Sequence, residues 1–169
     1  CTALADLDFL GTLQNLETLD LDTLPGIDDL SGLSRLHRLG ELRLDRLENL
    51  TSLPDLAGDC PLAGMSLGEM DALTDLGFLP PVTEMDFLFL YGNDELASLA
   101  GAESLRRVGD LSIHSNPALL DLEALADLET VNTLWVRNNP LLDNCAVEAW
   151  AEGLDIESFV RIGDNGECR

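Results

Sequence analysis

The sequence predicts an α/β-type repeat solenoid, in which short parallel β-strands stack side by side and irregular or 3₁₀ arcs return the chain. Three observations carry this. Leucine fills 38 of the 169 positions and aromatic residues only 5%, so one aliphatic side chain is the building material. The first apolar residue of each strand-like "LxL" core falls at Leu19, Leu42, Met65, Leu88, Leu111 and Leu134, five equal intervals of 23 residues, and the next comparable residue, Val160, follows after 26. Within each interval, alternation with period 2 gives way to apolar residues every third position, which is a strand followed by a returning arc.

The elements follow in order. Residues 7–19 (LDFLGTLQNLETL) align with residues 30–42 (LSGLSRLHRLGEL), so the chain opens partway through a repeat. We read residues 1–18 as a partial N-terminal turn, 19–142 as 23-residue turns and 143–169 as a C-terminal cap, all in one domain. The segment LSIHSNPALLDLEALADLETVNT (111–133) is the cleanest copy, with apolar residues at offsets 1, 3, 9, 12, 15, 18 and 21. Ile27, Leu50, Leu73, Leu96, Leu119 and Leu142 share offset 9; Leu30, Leu53, Leu76, Leu99 and Leu122 share offset 12, where the sixth copy has Cys145. No turn buries its own leucines; stacking on a neighbour does.

Offset 6 carries Asn93, Asn116, Asn139 and Asn165 in the later copies but Leu24, Leu47 and Met70 in the first three. An inward asparagine offers both donors and an acceptor to neighbouring backbone, so the later copies are expected to form an asparagine ladder.

The segments LFLYGN, LSIHSN and LWVRNN match an L-x-L-x-x-N pattern, each followed by apolar residues every three positions. In this the chain resembles the leucine-rich-repeat family. The 23-residue period without a clear helix, and NP after the strand in SNPALL and NNPLL, look most like bacterial secreted or cell-surface proteins with receptor-L-domain-like or internalin-like repeats. The resemblance covers nearly the whole chain. It implies the solenoid fold and a place outside the cell or on the bacterial envelope, but says little of function, since these solenoids serve many ligands.

The longer last interval contains DNCAVEAWAEGL (143–154). Asp143 or Asn144 is placed to cap a helix whose apolar face is Val147, Trp150, Ala151 and Leu154, and VRIGDNGEC supplies a last strand. A solenoid needs a terminal cap over its core. Paired cysteines are common in the caps of secreted members of the resembled family, which implies a Cys145–Cys168 disulfide and an oxidising compartment. Metal binding is the rival reading of the cysteines, and no C-x-x-C spacing favours it. Cys1 fits a lipidation site, a partner lost by excision, or a bond to Cys60, which would require the N-terminus to fold back along the stack.

Composition narrows the partners. There are 32 acidic residues against 9 basic, giving a net charge of −23, and all the basic residues are arginine. Such a surface repels phosphate backbones and anionic membranes, and no apolar run is long enough for a membrane span. Abundant Leu, Ala, Gly, Asp and Arg with no lysine suits a GC-rich bacterial genome. Asn49 opens an N-L-T glycosylation triplet.

With the "LxL" leucines inward, alternate residues face outward along the sheet. Five of the eight aromatic residues then share one face. The expected ligand-binding strip is Phe87, Phe89 and Tyr91, His114, Trp135 and Arg137, and Phe159 and Arg161, for exposed contiguous aromatics mark binding surfaces. The N-terminal half of the face is acidic, and the third strand, with Gly64, Ser66 and Gly68, is bare. Asp20, Asp22, Glu41 and Asp45 are candidate Ca²⁺ ligands, the competing reading being a solvated acidic surface.

Catalysis finds little support. There are two histidines, His37 and His114. Ser112, His114 and Asp110 share a face, but same-face neighbours stand about 6.6 Å apart along a strand, beyond hydrogen-bond reach. No P-loop, dinucleotide-binding glycine motif, H-E-x-x-H or G-x-S-x-G is present, and nothing calls for a cofactor. The expected function is recognition by the aromatic strip; the alternative is a self-associating building block of a larger surface protein.

Overall fold

A computed structural model of the chain describes residues 7–50, 53–56 and 60–168. It shows one parallel sheet of seven strands in sequential order: β1 (Asn15–Asp22), β2 (Arg38–Asp45), β3 (Gly64–Gly68), β4 (Glu84–Tyr91), β5 (Arg107–His114), β6 (Thr130–Arg137) and β7 (Asp155–Gly163). The returns carry 3₁₀ turns at Asp8–Thr12, Ser31–Arg35 and Glu123–Leu125, and one α-helix, α1 (Asn144–Glu152). This is an α/β-type arrangement with few helices, consistent with a solenoid. Most strands run eight residues, longer than the "LxL" cores, because ladder pairing extends to both sides of them.

Register explains the leucines. Leu19 pairs with Leu42, Leu42 with Met65, Met65 with Leu88, Leu88 with Leu111, Leu111 with Leu134 and Leu134 with Val160. The inward side chains of β2 to β6 are almost wholly buried, as are Ile27, Leu50, Leu73, Leu96, Leu119 and Leu142 on the arcs. Cys145 departs from this pattern. It stands exposed in the first turn of α1, where the disulfide rather than the core claims it.

Each strand leaves the sheet through a left-handed residue: Thr23, Arg46, Glu69, Gly92, Ser115, Asn138 and Asp164, with φ between 48° and 66°. This conformation costs a non-glycine residue roughly 1–2 kcal/mol. At all of them except Asp164, after the last described strand, the same residue donates its N–H to the next strand, as Thr23 does to the Asp45 carbonyl and Ser115 to the Arg137 carbonyl, which offsets the cost.

The asparagine ladder is present and fully buried at Asn93, Asn116 and Asn139. Asn93 Oδ1 accepts from the Met70 N–H at 3.0 Å, Asn116 Oδ1 from the Asn93 N–H at 3.1 Å, and Asn139 Oδ1 from the Asn116 N–H at 3.0 Å. Asn165 Oδ1 closes the ladder, accepting from the Asn139 N–H at 3.2 Å. Each Nδ2 reaches back to a strand carbonyl, of Leu67, Leu90, Ile113 and Val136 respectively.

At the C-terminus Asp143 caps α1, its carboxylate accepting from the Ala146 N–H at 3.1 Å. Val147 and Ala151 are buried and Trp150 Nε1 donates to the Leu125 carbonyl at 3.1 Å. The helix lies within the last return, between β6 and β7, and so does not cover the end of the stack. Val160, an inward position of β7, is 50% exposed. Among the described residues β7 is the last strand of the sheet, and none of them forms a further turn over its aliphatic side chains.

The Cys145–Cys168 disulfide is formed and closes a segment with a sequence separation of 23. A loop of that size restricts the unfolded chain enough to stabilise the fold by about 3 kcal/mol. The Cys145→Ser/Cys168→Ser variant should therefore unfold at lower denaturant by about that amount. A loss below about 1 kcal/mol would show that the fold does not depend on the clamp. Cys60 is buried; its suggested partner, Cys1, lies outside the described residues.

Candidate functional site

Alternation along β4 buries Met85, Leu88 and Leu90 and turns Phe87, Phe89 and Tyr91 to the opposite face. Strand register carries that face across in three rows. Phe87, Asp110, Thr133 and Phe159 form the first; Phe89, Ser112, Trp135 and Arg161 the second; Tyr91, His114, Arg137 and Gly163 the third. All eight predicted site residues therefore share one surface.

The rings do not simply stand in a row. A Cβ built on Gly64 would fall 2.2 Å from Phe87 Cε1, and one on Gly68 would fall 2.2 Å from Tyr91 Cζ. Two rings thus lie across β3, and both glycines are buried beneath them. The third strand, expected to be bare, is a bed for aromatic rings: without side chains there, the rings bury area against backbone instead of projecting into water.

This arrangement joins the two halves of the face. The Arg43 guanidinium sits 4.6 Å from the Phe87 ring centroid, and Phe87 lies 5.1 Å from Phe89. Tyr91 donates its hydroxyl to Asp45 Oδ1 at 3.3 Å, and its ring stacks on His114 at 5.5 Å. Burial, followed by the Asp45 charge, raises the Tyr91 pKa above its ordinary 10.0. Burial lowers that of His114 below 6.5, which favours the neutral imidazole.

The C-terminal half is more open. Trp135 is 39% and Phe159 44% exposed. Their rings lie 5.8 Å apart, and the Arg161 guanidinium sits 5.6 Å from the Trp135 centroid. Arg137 is drawn to Asp164. Between Phe89 and Trp135 the intervening strand offers only Ser112, leaving a groove of about 340 Å³ lined by Phe89, Asp110, Leu111, Ser112, Thr133 and Trp135. Thr133 Oγ1 donates to Asp110 Oδ1 at 2.5 Å. One oxygen of the carboxylate is thereby engaged by Thr133.

The acidic corner is organised by arginines. Arg46 bridges Asp22 at 2.6 Å and Asp45 at 2.8 Å, and Arg43 pairs with Glu41 at 3.0 Å. Asp22 and Asp45 are thus both paired with a guanidinium, and with Asp20 they line a cavity of about 200 Å³. Among the described residues, the one grouping of His, Cys, Asp or Glu donor atoms within 4.8 Å of one another is Asp143, Cys145 and Cys168. Its two sulfurs are joined to each other and its carboxylate caps α1. Asn49 is exposed and its side chain donates to the Pro25 carbonyl.

No family model matches this chain, and neither curated proteins nor solved structures yield a match.

Proposed function

We propose that this chain is a recognition module of the cell exterior, a leucine-rich-repeat solenoid of 23-residue turns that holds a protein segment or a glycan on its sheet face. The carrying observation is the continuity of the aromatic surface: Phe87, Phe89, Trp135 and Phe159, with the groove between the middle two. Trp and Phe offer rigid contact area at small entropic cost. The Cys145–Cys168 bond supports an oxidising compartment, and the resemblance to bacterial secreted and cell-surface repeat proteins supports the envelope. Binding, not catalysis, is the reading the face favours, since Asp110 is engaged by Thr133 and His114 by Tyr91.

The test is a Phe89→Ala/Trp135→Ala variant compared with the parent on peptide and glycan arrays. Both side chains lie on the outer face of the sheet, so the variant should keep its fold by circular dichroism. Its binding should fall by roughly tenfold or more, as for loss of two contact aromatics. Ligands held equally by both proteins would move the site elsewhere.

A second reading, a self-associating building block, is favoured by the exposed Val160 on β7, which pairs only with β6 among the described residues. Unpaired strand edges template pairing, and lysine blunts them. If this reading holds, sedimentation equilibrium should show concentration-dependent association that Val160→Lys abolishes. A monomer at all concentrations excludes it.

A further inference from the structure

We infer that the groove between Phe89 and Trp135 takes a cationic side chain, arginine best, from an extended protein segment. This rests on the reading of the sheet face as the recognition surface and adds the chemistry of what enters it.

The width comes first. Phe89 and Trp135 sit on β4 and β6, two strand spacings apart, or roughly 9.6 Å. A planar group stacked between two rings needs two contacts of about 3.5–4.0 Å. One flat side chain fits and two do not. Ser112 makes this possible: it is the small residue between two large ones in the row.

Charge decides which flat group. Asp110 lies in the groove lining with one oxygen engaged by Thr133, so a carboxylate shares the groove with the Phe89 and Trp135 side chains. Aromatic faces attract cations, and a guanidinium can both stack on a ring and pair with a carboxylate. The face already shows this chemistry. Arg43 lies against Phe87 and Arg161 against Trp135, so arginine is the group the chain itself sets against these rings. By register, both approach from strands outside the β4–β6 interval. A net charge of −23 further draws cationic segments to the surface.

General attraction to an acidic protein is the rival that the experiment must separate. The probe is N-acetyl-Gly-Arg-Gly-amide, titrated into the folded domain and followed by the indole N–H resonance of Trp135. Trp150, whose indole is bonded to the Leu125 carbonyl, serves as internal reference. The citrulline peptide keeps the shape and removes the charge. Asp110→Asn and Asp28→Asn each remove one negative charge, in the groove and on an exposed arc respectively. Ser112→Leu fills the slot without changing charge.

The Trp135 resonance should shift with the arginine peptide. Affinity should drop by about tenfold with citrulline, with Asp110→Asn and with Ser112→Leu, the range for a desolvated cation–π contact. Asp28→Asn should leave it within about twofold, as an exposed charge in high dielectric would. Equal binding of the arginine and citrulline peptides, or equal losses in Asp110→Asn and Asp28→Asn, overturns the inference. A Trp135 shift with chitotetraose but not with the arginine peptide also overturns it, while leaving the sheet face as the site. No Trp135 shift with either probe overturns the inference too. The array comparison of Phe89→Ala/Trp135→Ala then decides separately whether the sheet face binds at all.

Discussion

Asn116→Ala should lower the unfolding free energy by about 2–6 kcal/mol, because it strands two buried backbone groups at a cost of about 1–3 kcal/mol each. Asn116 holds the middle of the ladder. Its Oδ1 receives the Asn93 N–H at 3.1 Å and its Nδ2 donates to the Leu90 carbonyl at 3.1 Å. Alanine removes both partners and is too short to replace them. For a chain of this size each kcal/mol moves the melting midpoint by roughly 2–4 °C, so a drop on the order of 10 °C is expected. Asn165→Ala, at the less buried end of the ladder, should cost less. Asn116→Asp retains the acceptor but loses the donor and buries a charge, and should fall at or beyond alanine. Urea unfolding of the three variants gives the ranking. A loss below about 1 kcal/mol for Asn116→Ala would mean that water satisfies these groups and the ladder is not the structural spine argued for here.

Much of this spine was legible in the sequence because the constraints on it repeat. A leucine that must point inward in every turn recurs at the same offset, and so does an asparagine that must bridge turns. The ladder's start at Met70 was not legible. Met70 carries no amide side chain, yet its backbone N–H is the first group served, by Asn93. The strand exits were also hidden: Thr23, Arg46, Glu69, Ser115 and Asn138 share a left-handed φ without sharing a side chain, because a hydrogen bond of the backbone to the next strand accompanies the conformation. The site was read in outline, since alternation fixes which residues face out. How the rings lie depends on neighbours in other turns. Gly64 and Gly68 were visible as an absence of side chains, but a strand without side chains looks the same in sequence whether water or a ring covers it. Likewise the carboxylates Asp22 and Asp45 could be listed as Ca²⁺ candidates, while their pairing with Arg46 required the three-dimensional arrangement of the strand exits.

Gly64→Val/Gly68→Val should lift Phe87 and Tyr91 off β3, remodel the binding face and destabilise the fold by about 2–6 kcal/mol, taking about 1–3 kcal/mol for each overpacked site. Valine's Cβ alone would come within 2.2 Å of each ring, so the rings must rotate away. Tyr91 reports this directly, since it is the one tyrosine in the chain. In the parent, burial first and Asp45 second hold its pKa above 10.0, and the rise of tyrosinate absorbance should be delayed accordingly. In Gly68→Val the ring is hydrated and separated from Asp45, so the titration should return toward 10.0. Asp45→Asn should move it only part of the way, because the larger cause, burial, persists. The linkage has a definite sign. A tyrosine whose pKa is raised by folding favours the neutral, folded form. Its contribution is complete below the unfolded value of 10.0 and is lost as pH rises through the folded value. The parent should thus lose stability more steeply than Gly68→Val as pH rises from 10.0 through the folded value. If the two titration curves coincide, Tyr91 does not rest on β3, and the acidic and aromatic halves of the face are separate surfaces. If they part as expected, the glycine strand is what allows Arg43, Phe87, Tyr91 and Asp45 to act as one rigid wall. The groove beyond Phe89 is then bordered by side chains already fixed before any ligand arrives, which lowers the entropy cost of binding.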